Sequence, residues 1–238
     1  MEHFEFEKHT SSEYNTELED IRNHLLQMGG QAENQLRTVL KAISEESDEL
    51  ATELLSQGDD IDQMEVDLDQ ECTRIIARRQ PAASDLRLIV AVMKSITDIE
   101  RIGDETEKMA RLLKKLFARD FHSKYFKEID HLGQEVLTNL SGSLNALARL
   151  DAEEAIKLAQ RDQVIDAHFD ELNGQLIKKM VKDPNKVKPY LGLSQCAQSL
   201  ERIGDHAKNI CEYIIYLVIG KDVRHTDIEE VKNSLLEQ

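Results

Sequence analysis

Residues 98–104, Asp98-Ile99-Glu100-Arg101-Ile102-Gly103-Asp104, return almost unchanged as residues 199–205, Ser199-Leu200-Glu201-Arg202-Ile203-Gly204-Asp205. Five consecutive residues, E-R-I-G-D, recur 101 positions apart. Upstream the likeness continues at an offset of 104, with Lys41-Ala42-Ile43 answering Asn145-Ala146-Leu147 and Ile61-Asp62 answering Ile165-Asp166. The offset changes within a short stretch, Arg79-Gln80-Pro81-Ala82 against Lys182-Asp183-Pro184-Asn185. A duplicated unit of roughly 100 residues accounts for the whole pattern.

Each unit reads as three helices. Apolar residues recur at helical spacing over 17–43, 50–76 and 86–117, and again over 126–149, 152–182 and 187–219. Ser47 is placed to cap the second helix, and Asp151 with Glu154 three residues later has the form of a capping box. Pro81 and Pro184 close one long helix and open the next. No stretch alternates as a strand would. The expectation is an all-α fold of two tandem, pseudo-symmetric three-helix bundles, six helices in all. Repeat one occupies 1–120, repeat two 121–220, and a polar tail 221–238.

Composition agrees and excludes several function classes. Of 238 residues, 32% are charged and 40% hydrophobic, with only 3 prolines and no tryptophan, a mix that favours helices. The net charge of −16 repels nucleic-acid backbones unless a basic stripe offsets it. The densest basic stretch, 111–119, is interleaved with Leu112, Leu113, Leu116 and Phe117 and reads as the solvated face of an amphipathic helix. No nucleic-acid partner is expected. The start, Met1-Glu2-His3-Phe4-Glu5-Phe6-Glu7, is acidic and lacks the apolar core of a signal peptide. The longest apolar run, 213–219, is too short to span a bilayer, though apolar positions exposed along it would suit a helix–helix contact. Cys72, Cys196 and Cys211 have no CxxC spacing and fit buried, reduced thiols. A cytoplasmic protein follows.

The chemistry lies in the acids. Glu100 and Asp104 are four apart on a helix and share a face, as do Glu201 and Asp205; like charges at that spacing weaken a helix by a few tenths of a kcal/mol. Gly103 and Gly204 between them each cost the helix roughly 1 kcal/mol relative to alanine. Antiparallel pairing across each turn gives these costs a purpose. Asp62 is 20 residues before Ala82, and Ile102, between Glu100 and Asp104, is 20 after it. In repeat two, Asp166 falls opposite Gly204, and Asp162 lies one turn away, level with Lys208 and Asn209. At least three carboxylates therefore converge in each bundle. With no cysteine or paired histidine, such a site suits Mg²⁺, Mn²⁺, Ca²⁺ or iron ahead of zinc. The competing reading pairs these acids with Arg101, Arg202, Lys108 or Lys208 on a solvated face. His206, whose counterpart is Glu105, reads as a helix-surface histidine, and Asn209 as an outer ligand replaced by Lys108 in repeat one.

The duplicated E-R-I-G-D, together with Ala77-Arg78-Arg79-Gln80-Pro81-Ala82-Ala83-Ser84-Asp85-Leu86-Arg87, resembles the PhoU family of phosphate-signalling proteins across about residues 15–225. The resemblance implies two pseudo-symmetric three-helix bundles, metal ions held by an E/DxxxD motif, and a homodimer. It also implies a negative regulator of the phosphate-starvation response, linking the phosphate ABC transporter ATPase to a sensor histidine kinase and reaching the membrane only through those partners. On this likeness Glu100, Asp104, Glu201 and Asp205 are the expected ligands, and Asp162 and Asp166 match the acidic motif of the preceding helix. Repeat one departs from the pattern, with Gly58 where Asp162 stands and only Asp59 and Asp62 nearby, which points to a weaker first site or fewer ions. No catalytic grouping is evident: there is no phosphate-binding loop after a strand and no nucleophile elbow. Two rivals remain. A ferritin-like iron protein would want Glu-x-x-His from two helices, and only Glu128 to His131 fits. The other is a metal-free helical scaffold.

Overall fold

The computed structural model describes residues 12–56, 59–119 and 121–223, without the side chain of Asp59. The readings made on Gly58, on Asp59 and on the tail beyond 223 lie outside them. Helices α1 (Ser12–Glu45), α2 (Asp48–Leu55), α3 (Asp59–Arg79) and α4 (Ala83–Phe117) form the first bundle. Helices α5 (Tyr125–Arg149), α6 (Ala152–Lys182) and α7 (Val187–Ile219) form the second, with a 3₁₀ turn at Pro184–Lys186. Six rods were expected; the second is carried by α2 and α3, and α2 ends at Leu55. Its end is marked by Ser56, whose backbone N–H turns back to Glu53 and Leu54.

The first turn of each bundle repeats closely. Glu46 and Leu150, equivalent residues, both adopt the left-handed conformation, with φ of 49° and 53°. The next residue then closes the helix end, Ser47 N–H bonding to Ala42 O at 3.0 Å and Asp151 N–H to Ala146 O at 2.9 Å. The same two residues start the following helix. Ser47 Oγ accepts from Leu50 N at 3.3 Å, and Asp151 Oδ1 from Glu154 N at 3.0 Å. Only half of the expected capping box forms, because the Asp151 N–H is spent on Ala146. At the next turn, Arg79 pairs with Glu17 at 2.8 Å, and Tyr14 Oη donates to buried Asp85 at 3.1 Å. Both acceptor and guanidinium belong to, or flank, the Arg-Gln-Pro-Ala segment, and they tie α1 to the α3–α4 turn.

Equivalent helices meet each other. Helix α1 packs on α5 and α4 on α7, while α2–α3 and α6 flank them on the outside. At the α1–α5 contact a Cβ built on Gly29 would sit 2.5 Å from Leu144 Cδ2, and one on Gly133 would sit 2.1 Å from Leu40 Cδ2. Gly29 corresponds to Gly133 and Leu40 to Leu144, so each repeat offers a leucine to the other's glycine. The α4–α7 contact is polar and obeys the same symmetry. Asp98 Oδ1 pairs with His206 Nδ1 at 2.7 Å and accepts from Asn209 Nδ2 at 3.0 Å. Reciprocally, Glu105 accepts from Ser199 Oγ at 2.6 Å and from Arg202 Nη1 at 2.8 Å. Beside the link between repeats, Phe121 packs on Phe126 and, edge-on, on Tyr190.

Burial corrects one expectation. Tyr213, Ile214, Ile215 and Leu217 are buried, so most of the 213–219 run faces the protein's own core, with Tyr216, Val218 and Ile219 partly exposed. The large exposed apolar side chains lie elsewhere, among them Ile177 and Val181 on α6 and Leu191 on α7. All three cysteines are free and buried, and burial pushes the Cys72 and Cys196 thiols up to about 12. Among the described residues no helix is long and apolar enough to cross a membrane.

Candidate metal centres

Each outer rod runs antiparallel to the third helix of its bundle, so acids equidistant from the turn stand level. In the second bundle this brings Asp162 and Asp166 of α6 to Asp205 of α7, with carboxylate oxygens within 4.8 Å of one another. Asp162 is 1% exposed. Its Oδ2 accepts from Lys208 Nζ at 2.9 Å, whereas buried Oδ1 meets no hydrogen-bond donor among the described residues. Glu201 completes the group. Burial, then Asp205 and Asp166, hold its carboxyl above the usual range, with Arg202 working against them. Burial and neighbouring acids likewise raise Asp166 and Asp205. Burial works against the Lys208 ammonium, yet the bond to Asp162 and the surrounding acids hold it above its ordinary value.

The first bundle brings its acids into mutual electrostatic influence, but among the described residues no three of them set carboxylate oxygens within 4.8 Å of one another as those of the second bundle do. Burial, followed by the charges of Asp104, Glu65 and Asp62, pushes Glu100 up to about 7, against a smaller opposing pull from Arg101. Glu65 is raised by burial and then by Asp69, Asp62 and Asp104. Asp62, Glu65, Glu100 and Asp104 thus share one electrostatic neighbourhood. Glu65 was not among the candidates. Its counterpart is Phe169, so the repeat carried no trace of it; the available signal was the helical spacing of Asp62, Glu65 and Asp69.

The two glycines serve the helix contact through a side chain. A Cβ on Gly103 would lie 3.2 Å from Ile61 Cδ1, and one on Gly204 3.5 Å from both Ile165 Cγ2 and Asp162 Oδ1. Ile61 and Ile165 are equivalent residues. Each glycine seats the facing isoleucine, which fixes the level of the aspartate beside it.

The basic residues that could have neutralised these acids go largely elsewhere. Arg202 and Lys108 both pair with Glu105, at 2.8 and 2.7 Å. Lys208 alone enters a cluster, and bonds to one oxygen of Asp162. Its counterpart in the first bundle is Glu107, which pairs with Arg111. His206 is not a surface histidine: its side chain is 14% exposed and engages Asp98, as does Asn209. Glu105 bonds to Ser199, Arg202 and Lys108, which hold its carboxyl below the usual range despite burial. Nor does His131 stand in a ferritin-like pair, for it meets His168 and Glu135 instead. A donor set made only of carboxylate oxygens, with one buried oxygen unmatched and several acids held back from ionising, fits a hard divalent cation.

Fold and site define a class: a duplicated all-helical protein whose two halves each set an acid cluster between the second and third rods. The PhoU domain model matches residues 25–113 and 129–214, one segment in each bundle. The chain belongs to the PhoU domain family. It is 44% identical over 230 residues to the phosphate-specific transport system accessory protein PhoU homolog of Pseudomonas aeruginosa, covering 95% of each chain. To the phosphate-specific transport system accessory protein PhoU of Escherichia coli (strain K12) it is 37% identical, covering 99% of this chain and 97% of that one. The crystal structure of PhoU from Pseudomonas aeruginosa superposes with a TM-score of 0.85 at 43% identity, covering 87% of this chain and all of that one. The phosphate transport system regulatory protein PhoU from Streptococcus pneumoniae gives 0.81 at 27% identity, covering 88% and 99%.

Proposed function

We propose that this protein is a metal-dependent accessory regulator of a phosphate transport system that works by binding rather than by catalysis. The observation that carries the proposal is the pair of acid clusters, each set by the E-R-I-G-D segment of a PhoU-domain match. Glu100, Asp104 and Asp62, joined by Glu65, would hold one cation group; Glu201, Asp205, Asp166 and Asp162 would hold the other. Magnesium, manganese, calcium or iron suits these donors better than zinc. A bound cation supplies positive charge that lets the acids ionise together. The protein's own contribution is placement: Ile61 and Ile165 fix the register, and the α4–α7 network locks the two halves into one body.

In this reading the acidic helical faces dock on the transporter's ATPase and on a phosphate-sensing histidine kinase, holding the starvation response off when phosphate is plentiful. The protein acts in the cytoplasm as a homodimer and reaches the membrane only through those partners. The likeness to accessory and regulatory relatives supports this reading. Deletion in phosphate-rich medium should switch on a starvation-promoter reporter, and the wild-type gene should silence it. A Glu100→Ala/Asp104→Ala/Glu201→Ala/Asp205→Ala variant that folds normally should leave it on. An unchanged reporter after deletion would refute the regulatory reading; full silencing by the quadruple variant would refute the metal-dependent part.

A further inference from the structure

The second bundle gathers a different set of donors between α5 and α6, on the side of α6 turned from α7. His131 and Glu135 stand one turn apart on α5, and His168 faces them from α6. Counted from the Leu150–Asp151 turn, His168 lies 17 residues beyond Asp151, while Glu135 and His131 lie 15 and 19 residues before Leu150. Antiparallel pairing therefore sets His168 midway between the other two. One ligand atom from each of the three lies within 4.8 Å of the others. The imidazole rings of His131 and His168 are 5.1 Å apart, and His168 Nδ1 is 2.9 Å from Glu135 Oε2.

We propose that His131, Glu135 and His168 form a third cation site, of the zinc class, independent of the two carboxylate clusters. Two imidazoles and one carboxylate are the donor set of open zinc sites, in which three protein ligands leave a position for water or another oxygen. Tetrahedral ligands at about 2.1 Å stand roughly 3.4 Å apart. Atoms already within 4.8 Å reach that spacing by side-chain rotation, which these partly exposed positions permit. The first bundle is an internal control: Gln27, Gln31 and Met64 occupy the equivalent positions. The same helix pair therefore packs without the three donors, and their convergence is not a demand of the fold. Asp166 and His168, two residues apart, point about 200° apart around α6, so the imidazole site and the carboxylate cluster use different faces of one helix.

The test uses untagged full-length protein, stripped with a chelator and titrated with zinc against a chromophoric competitor. The quadruple carboxylate variant should keep one equivalent of zinc, and an excess of Mg²⁺ should leave that equivalent in place. His131→Gln/His168→Gln should bind it roughly a hundredfold more weakly or worse, given that loss of outer-shell support alone costs ten- to a hundredfold. X-ray absorption of the zinc-loaded wild type supplies a readout that needs no variant, and imidazole scattering is expected. An oxygen-only shell, displacement by Mg²⁺, or unchanged zinc affinity in the histidine variant would each overturn the site. Both the histidine substitutions and the X-ray absorption are read in the background of the quadruple carboxylate variant as well, where the result does not depend on the carboxylate clusters holding metal.

Discussion

Removing divalent cations and raising the pH should destabilise this protein, and restoring a cation should reverse the loss mainly at the higher pH. Glu100 sets the scale. Its carboxyl is raised from 4.5 to about 7 by burial and by Asp104, Glu65 and Asp62. The folded state therefore holds a proton between those values that the unfolded chain has released. By linkage, stability is fully present below pH 4.5 and lost as pH rises through 7. For a fully buried group that window would be worth roughly 3 kcal/mol. Glu100 is only half-buried, and solvent screening reduces the figure to about 1 kcal/mol. Asp166, Glu201 and Asp205 are raised too and act in the same direction. In urea unfolding of chelator-treated protein, the free energy at pH 8 should fall below that at pH 5.5 by at least about 0.6 kcal/mol, or about 1–2 °C in Tm. Mn²⁺ should raise it more at pH 8 than at pH 5.5, since ligation needs ionised acids. General repulsion in a chain of net charge −16 also weakens the fold as pH rises, so the control is Glu100→Gln. That variant should show a shallower slope and greater chelator-treated stability at pH 8. A Glu100→Gln slope equal to wild type, or a Mn²⁺ effect independent of pH, would refute the assignment.

Other substitutions probe separate parts of the architecture. Gly133→Ala forces a methyl group against Leu40 and should destabilise by about 1–3 kcal/mol, whereas Gly30→Ala, with nothing within 4 Å, should stabilise by about 1 kcal/mol; denaturant midpoints check both. His206→Ala removes one of the two partners of buried Asp98 and should lower stability by about 1–3 kcal/mol, measured the same way. Lys208→Gln should weaken the chelator-treated protein yet tighten Mn²⁺ binding in calorimetric titration, because it removes the cation that already serves Asp162. Looser Mn²⁺ binding would show that Lys208 is needed to assemble the second cluster.

How far the fold could be read in advance follows from what duplication copies. The helices and the caps at Ser47 and Asp151 stand in corresponding places in the two repeats, so each was legible twice. Glu65 was missed because nothing in repeat two answers it. The end of α2 at Leu55 was missed for the same reason, since the corresponding part of α6 is continuous. His206 was misread because its difference from Glu105 looked like drift. In fact both positions are partners of the opposite repeat, His206 of Asp98 and Glu105 of Ser199, and such contacts involve faces that a single-helix pattern cannot assign.

Divergence between the repeats carries functional meaning of its own. Where the second cluster admits Lys208, the first has Glu107, and Lys108 turns instead toward the junction between bundles. Among the described residues the first cluster therefore has no lysine bonded to Asp62, Glu65, Glu100 or Asp104, and Glu100, raised chiefly by burial and then by Asp104, Glu65 and Asp62, has only Arg101 working against them. The expectation of a weaker first site rested on Gly58 replacing an aspartate, and it left both Glu65 and the lysine out of account. With them included, a cation arriving at the first cluster displaces no internal ammonium, while one arriving at the second competes with Lys208 for Asp162. The physical expectation is that the first site fills first, and that the two sites respond over different ranges of cation concentration. Metal titration of Glu100→Ala/Asp104→Ala beside Glu201→Ala/Asp205→Ala tests the order. The first variant should lose the tighter phase and the second the weaker one, and the reverse assignment would show that Lys208 organises its site more than it blocks it.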